Sequence, residues 1–314
     1  MRDLARESLA HWPLPKDVTL KLVNVSENTT YRLDDRRADR GWALRLHRLG
    51  YHSLPAIRSE LAWAAALRSA GVALTPVAVR GNDGELVQSI GPRHCVLFEW
   101  ESGSEPTATD VPAFMAMGEA AARMHEHARL WPPPPGFVRH TWDFEASLGT
   151  RPRWGRWQDG IGVTPEMKII FSRTIELIER RLSHFGQDAH RFGLIHGDMR
   201  LANLLLDGLQ IKILDFDDCG WSWFLYDCAT TVSFFEHSSE VPSLIDAWVK
   251  GYRRIRPLPI EDEAEIPTFV MLRRLLLVAW LGSHRETELA RTLGADYSQG
   301  SIAMCEDYLR RMAR

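Results

Sequence analysis

Three polar side chains in one short stretch have the types and spacing that phosphoryl transfer needs. The stretch, Leu194 to Asp218, reads LIHGDMRLANLLLDGLQIKILDFDD. Asp198 leaves a short apolar run, Asn203 follows five residues later, and Asp215 twelve after that. One carboxylate can orient an attacking hydroxyl and accept its proton. An amide oxygen and a second carboxylate can hold Mg²⁺, which bridges phosphate oxygens and neutralises the charge that develops. Magnesium takes few, hard oxygen ligands, and one Asn with one Asp suits it better than any His/Cys set. Taken singly, these residues have plainer explanations. An Asp at a strand end is more often a turn cap, and His196 alone reads as a hydrogen-bonded loop histidine. The joint pattern H-G-D-x₄-N, a hairpin, then D-F-D is what points to chemistry.

The elements that must position these groups can be read on either side of them. Short strands at Asn203 to Leu206 and Ile211 to Leu214, around a turn at Asp207-Gly208, are expected to bring Asn203 and Asp215 to one edge beside the Asp198 loop. The first hundred residues read as a small antiparallel sheet with one helix. Val18 to Val25 alternates as a half-buried strand should, Tyr31 to Leu33 and Trp42 to Leu46 follow, and Val77 to Val79, Leu86 to Ile90 and Cys95 to Phe98 complete the sheet. Ser53 to Ala70 has helical spacing, with Ile57, Leu61, Ala64, Ala65 and Leu67 on one side, and Gly71 stops it. Glu101 to Pro106 is the linker candidate. Beyond it the chain is mainly helical: Val111 to Ala128, Glu166 to Phe185, and the remainder from about Leu225. A tryptophan-rich segment with Trp142, Trp154 and Trp157 interrupts it.

Composition narrows the function classes. The 314 residues suffice for a large core with a cleft. Hydrophobic residues at 45% and charged residues at 25% are a globular balance. A net charge of −3, with the basic doublets scattered among acids, argues against a sequence-independent grip on nucleic acid or on anionic lipid. The four cysteines, Cys95, Cys219, Cys228 and Cys305, lack zinc-like or CxxC spacing and suit a reducing compartment. The N-terminal segment lacks the apolar centre of a signal peptide, and the run Leu275 to Leu281 is shorter than a bilayer span. The expected location is cytoplasmic, with neither nucleic acid nor membrane as partner.

The H-G-D-x₄-N and D-F-D segments resemble those of the aminoglycoside phosphotransferase/choline kinase-type family, whose members share the protein-kinase-like fold. That resemblance implies a two-lobed α+β fold: an antiparallel-sheet nucleotide lobe at residues 1–100, and a larger helical lobe at 101–314 with the catalytic loop and acceptor site. It makes Asp198 the catalytic base and Asn203 and Asp215 the Mg²⁺ ligands. Asp217 becomes an auxiliary metal or substrate group, His196 a holder of the loop, and Asp227 a brace behind it; a plain N-cap predicts the same Asp227. Arg45 stands where a kinase strand carries its phosphate-binding lysine, with Glu60 in the place of the pairing glutamate and Arg48 as a rival cation. Arginine can clamp phosphate oxygens bidentately. The phosphate-covering loop falls at Val25 to Thr30, which has no glycine, so Ser26 and backbone N–H groups are the candidate contacts. Phe98, Glu99 and Trp100 fall at the interlobe hinge that reads adenine. Walker-A and GxGxxG loops are absent.

The expected function is transfer of the γ-phosphoryl group of ATP or GTP, with Mg²⁺, to a hydroxyl of a small molecule: an aminoglycoside-like sugar, an amino alcohol or homoserine. In phrasing the chain looks closest to the stress-response kinase and homoserine-kinase-like branch. A polycationic sugar would need carboxylates such as Asp143, Glu145 and Asp159. A choline-like cation would need an aromatic cage, for which Trp142, Trp154, Trp157, Trp221 and Trp223 are candidates; core packing is the plainer role for these. Three rival readings stand beside this one: a protein Ser/Thr kinase of the stress-response type, a pseudokinase nucleotide-binding module, and a Mg²⁺ hydrolase using the same aspartates.

Overall fold

In the computed structural model, which describes residues 1–26, 28–208 and 210–312, the chain opens with the helix α1 (Arg2–Ser8) and then builds a sheet. Its strands are β1 (Thr19–Val25), β2 (Thr29–Asp35), β3 (Arg40–Leu46), β4 (Ala78–Val79), β5 (Val87–Ile90) and β6 (Arg93–Glu99), with α2 (Leu54–Ser69) inserted after β3. The order is β1-β2-β3-β6-β4, with β5 also on β6, and every pairing is antiparallel. These elements belong to the first of two compact units, which comprises residues 1–103, 132–139 and 213–217. Strand alternation divides β3 between two faces. Trp42, Leu44 and Leu46 join Tyr31, Leu33, Cys95 and Leu97 in one core cluster, with Ala5 and Trp12. On the opposite face Val87 and Val96 pack with Ile57 and Leu61 of α2. Period-2 alternation therefore turns Arg45, between Leu44 and Leu46, toward α2.

Two expectations here need correction. β1 is an edge strand, and Lys21 to Val25 are exposed rather than half-buried, because among the described residues β1 pairs with β2 alone, with a register shift between Leu22 and Asn24. On α2, Ala65 is exposed and the larger Trp63 is buried in the helix's inner face. Ser53 caps that helix by accepting from the Ala56 N–H, and the chain leaves it at Gly71 with φ 66°.

The second unit comprises residues 104–131, 140–212 and 218–314. Its helices are α3 (Val111–Leu130), α4 (Phe144–Ser147), α5 (Pro165–Phe185), α6 (Phe224–Thr231), α7 (Val241–Tyr252), α8 (Ile260–Glu263), α9 (Ile266–Ser283) and α10 (Glu288–Met312), the last broken at Gly294. β7 (Phe192–Ile195) pairs antiparallel with β10 (Gly220–Trp223), and β8 (Leu204–Asp207) with β9 (Gln210–Ile213). The pairing strand β10 goes beyond the sequence reading, which has no element there. The expected linker is stitched down in part: Ser104 exchanges two backbone hydrogen bonds with Leu206 of β8.

The core helix of this unit is α9. By length and composition it could cross a bilayer, but 83% of the apolar window at Ile260–Ser283 is buried inside the fold, so its hydrophobicity is satisfied by protein. The helices α3 and α7 cross at their backbones. A Cβ on Gly118 would lie 1.9 Å from the Trp248 carbonyl oxygen, and one on Gly251 1.9 Å from that of Met115. Neither obstacle is a flexible side chain, so the helices must separate to admit a methyl group. Gly118→Ala and Gly251→Ala should each cost about 1–3 kcal/mol, the usual range for overpacking. Chemical denaturation would show this as a lower midpoint; unchanged midpoints would mean that the crossing is loose.

Candidate active site

In the first unit the groups gather around Arg45, 6% exposed on β3. Its guanidinium sits 5.0 Å above the Phe98 ring and divides its donors between two carboxylates. Nη2 donates to Glu60 Oε1 and Nη1 to Asp215 Oδ1 at 2.9 Å. Burial works against the Arg45 charge, but Glu60, Asp217 and Asp215 together outweigh it and raise the pKa. Burial also raises the Glu60 carboxyl, against the pull of Arg45. Asp215 has φ 54°, a left-handed conformation that a short polar residue tolerates and that clusters at functional sites.

The residues after Asp215 are anchored by packing. Phe216 meets Trp63 of α2 edge to face at 5.6 Å, and Arg139 donates to the carbonyls of Ala56 and Asp217. Asp217 is buried between two imidazoles, His47 Nδ1 at 3.6 Å and His52 Nε2 at 3.4 Å. Burial alone would raise its carboxyl; His52 and Arg45 reverse that and hold it well below the carboxylate range. Burial and the Arg45 cation push His47 down to about 3, so that ring is neutral.

The remaining first-unit candidates lie along the sheet. Ser26 sits in a hairpin closed by its own N–H donating to the Asn28 carbonyl, and Glu27, within the expected phosphate loop, lies outside the described residues. The N–H groups of Glu99 and Trp100 donate within the unit to Val77 and Gly41, so a purine edge would have to find other donors. Glu99 also pairs with Arg40, and Trp100 stacks under Arg32 at 4.3 Å.

In the second unit the central feature is the loop 196–199. The N–H groups of His196 and Gly197 donate to the Asp227 carboxylate at 3.1 and 2.7 Å, that of Asp198 donates to His196 Nδ1, and that of Met199 to Thr230 Oγ1. Asp227 is fully buried on α6 and also bonds His125 Nε2, whose Nδ1 meets the Tyr252 hydroxyl. Gly197 has φ 81°, and a Cβ there would lie 2.7 Å from the Asp218 carbonyl, so glycine is required.

That loop presents Asp198 with its carboxylate engaged at both oxygens. Arg273 Nη2 of α9 donates to Oδ1, while Arg200 Nε and Asn203 Nδ2 donate to Oδ2 at 3.2 and 2.8 Å. Burial favours the neutral acid, but Arg273 first and then Arg200 lower its pKa, so Asp198 is ionised. Asn203 lies in the helical turn before β8 rather than inside the strand, because its amide also bonds the Asp198 carbonyl. With its nitrogen so used, its amide oxygen is the atom suited to a cation, and the oxygen chemistry of Asn203 and Asp215 fits Mg²⁺. Chemically, an ionised carboxylate so held can orient a hydroxyl for attack.

Sequence reasoning missed Arg273, Arg139, His47, His52 and His125. One signal was available for the first, a pair of arginines inside the most apolar helix pattern. Of the aromatic-cage candidates, Trp142, Trp154 and Trp157 are buried, and the Trp142 indole N–H donates to the Asp218 carbonyl. Asp143 caps α4 and Glu145 accepts from Thr150.

Comparison with known proteins defines the class. The phosphotransferase enzyme family (APH) matches residues 19–258, and the chain belongs to that family. It is a kinase-type phosphotransferase acting on small-molecule hydroxyls, with the protein-kinase-like fold. A solved microcompartment-associated aminopropanol kinase is 42% identical, covers 99% of this chain and 98% of its own, and superposes with a TM-score of 0.91. Amicoumacin kinase of Bacillus subtilis is 23% identical over 88% of this chain and 83% of its own. Homoserine kinase of Rhodopseudomonas palustris is 24% identical over 84% and 80%.

The Arg45–Glu60 pair yields a stability prediction with a pH sign. Arg45→Met leaves a buried carboxylate unpaired, which typically costs about 3–5 kcal/mol. Burial and the Asp217 charge then raise Glu60 further against Arg139, so its neutral form is favoured in the fold; such a group stabilises below its unfolded pKa and loses that contribution as pH rises. The variant should therefore be closer to wild type at pH 5 than at pH 8, and Arg45→Met/Glu60→Gln should lose that dependence. Equal destabilisation of the single variant at both pH values would contradict the pairing.

Proposed function

We propose that this chain transfers the γ-phosphoryl group of ATP, with Mg²⁺, to the hydroxyl of a small amino alcohol of the aminopropanol type. The observation that carries this reading is the likeness to the aminopropanol kinase, at 42% identity across 99% of the chain. Local chemistry favours a small acceptor over a polycationic sugar. Two of the three carboxylates that could serve such a sugar, Asp143 and Glu145, are engaged in local caps, and Asp159 is exposed.

Within this reading the residues divide the work. Asp198 orients the acceptor hydroxyl and takes its proton as the oxygen attacks phosphorus. Its low pKa makes orientation and charge the larger part of its role, since transition states of this class need little help from a strong base. Asn203 and Asp215 would hold Mg²⁺, which supplies charge neutralisation on the phosphate oxygens. Arg45, kept cationic by Glu60, adds positive charge for the phosphates and steadies Asp215. His196 and Asp227 keep the loop in shape, and Asp217 is an auxiliary acid held by His52. Ser26, Phe98, Glu99 and Trp100 line the nucleotide side by the family pattern.

The test is steady-state transfer of labelled phosphate to an aminopropanol, ethanolamine, homoserine, a pooled aminoglycoside set and a generic protein. Label should enter the amino alcohols, and a propanediol lacking the amine should fall behind by more than ~100-fold if the ammonium is recognised by buried polar groups. Asp198→Asn should lower turnover by about 10²–10⁴-fold, the usual contribution of a positioned base, with nucleotide affinity retained. Label confined to protein or to aminoglycosides would overturn the acceptor assignment.

A further inference from the structure

We propose that Arg273 is a positioning residue for phosphoryl transfer: from the core helix α9 it fixes the carboxylate of Asp198 in the orientation that receives the acceptor hydroxyl. This rests on the reading of Asp198 as the group that orients the hydroxyl. Two consecutive arginines, Arg273 and Arg274, interrupt the stretch Phe269 to Leu281 of α9, whose other residues are all apolar, and both are 1% exposed. A buried guanidinium costs stability unless it is fully paired, so each needs a reason.

The two are paired to different ends. Arg274 closes a network inside the helical unit: Glu236 Oε2, Ser301 Oγ and the Tyr297 carbonyl accept from it, and its guanidinium lies 3.5 Å above the Tyr297 ring. All of those partners are structural. Arg273 donates instead to Ser233 Oγ at 3.0 Å, to the Tyr226 hydroxyl at 3.2 Å and to Asp198 Oδ1, with the Trp154 ring 5.2 Å from its guanidinium. Ser233 and Tyr226 hold the fork in place, and the donor left over is aimed at the loop.

The geometry at Asp198 explains what that donor does. The partners of Oδ2, Arg200 and Asn203, come from the few residues that directly follow Asp198. The partner of Oδ1 comes from α9, far along the chain and immobilised in the core. Holding one oxygen from the loop and the other from the core sets the plane of the carboxylate. A carboxylate offers about four lone-pair directions, and fixing the plane decides where the remaining one points. Without Arg273 the group can turn about its terminal torsion, which is intrinsically broad.

Arg273→Met should therefore lower kcat on the order of 100-fold, the loss that about 1 Å of misplacement produces, while KM for the nucleotide stays within about twofold. Arg273→Lys, which keeps a donor and the charge, should recover a substantial part of that loss. Arg274→Lys should lower the unfolding midpoint and leave kcat of the folded fraction near wild type. Because Arg273 acts through Asp198, adding Arg273→Met to Asp198→Asn should cause no further fall in kcat. The proposal is overturned if Arg273→Met lowers only the unfolding midpoint, as Arg274→Lys does, or if the two losses multiply in the double variant. If Asp198→Asn keeps full turnover, the reading of Asp198 falls and the proposal with it. If Asp198→Asn is inactive but Arg273→Lys and Arg273→Met match wild type, the positioning role alone is refuted. Should Arg273→Met fail to fold, the Lys variant, alone and combined with Asp198→Asn, separates the same outcomes.

Discussion

A single buried carboxylate, Asp227, sets the shape of the loop that carries Asp198. Four consecutive backbone N–H groups, at residues 196–199, must be satisfied away from water, and side chains rather than a helix or sheet ladder take them. Asp227 accepts two, His196 Nδ1 a third and Thr230 the fourth. Bonds to a carboxylate, as the two to Asp227 are, exceed neutral ones in strength, so the loop is fixed by its backbone before any substrate arrives. The positive φ of Gly197 and its closeness to the Asp218 carbonyl belong to the same arrangement. His125 extends the anchor into α3 and, through Tyr252, into α7, which ties the loop to the crossing where glycines let two helix backbones touch.

In the sheet-containing unit an equivalent constraint comes from charge. Arg45 faces α2 because of the two-residue period of β3, and there it meets Glu60 and Asp215. One cation between two carboxylates leaves a local negative excess, to which Asp217 adds. This suits the approach of a divalent cation. Arginine's fork lets both carboxylates be held at once, which a single ammonium on a flexible stem does less rigidly.

Much of this was legible in the sequence, for reasons that can be stated residue by residue. The spacing of Asp198, Asn203 and Asp215 is a local pattern that a loop and a hairpin can realise, and the sheet strands announce themselves by alternation. Arg45 and Glu60 were readable only through the family resemblance, which implies a cation on that strand and a carboxylate in the helix after it. The rest depends on contacts between residues distant in sequence. Arg273 reaches Asp198 across 75 positions and Arg139 reaches Asp217 across 78. As one of the scattered basic doublets, Arg273-Arg274 reads as solvated surface, whereas both side chains are buried and Arg273 meets Asp198. His47 and His52 were invisible for the same reason. The exposure of β1 and the position of Asn203 outside its strand reflect an edge without a second neighbour and a side-chain bond to the Asp198 loop; no propensity signals either.

In the proposed mechanism Asp198 serves the acceptor hydroxyl while Asn203 and Asp215 serve the metal. Electron paramagnetic resonance of Mn²⁺, added with a non-hydrolysable ATP analogue to the full chain and its variants, separates these roles directly. Asn203→Ala and Asp215→Asn should lose most of the bound-Mn²⁺ signal, whereas Asp198→Asn should retain it. Bound Mn²⁺ that persists in both metal-ligand variants, or that disappears in Asp198→Asn, would contradict it.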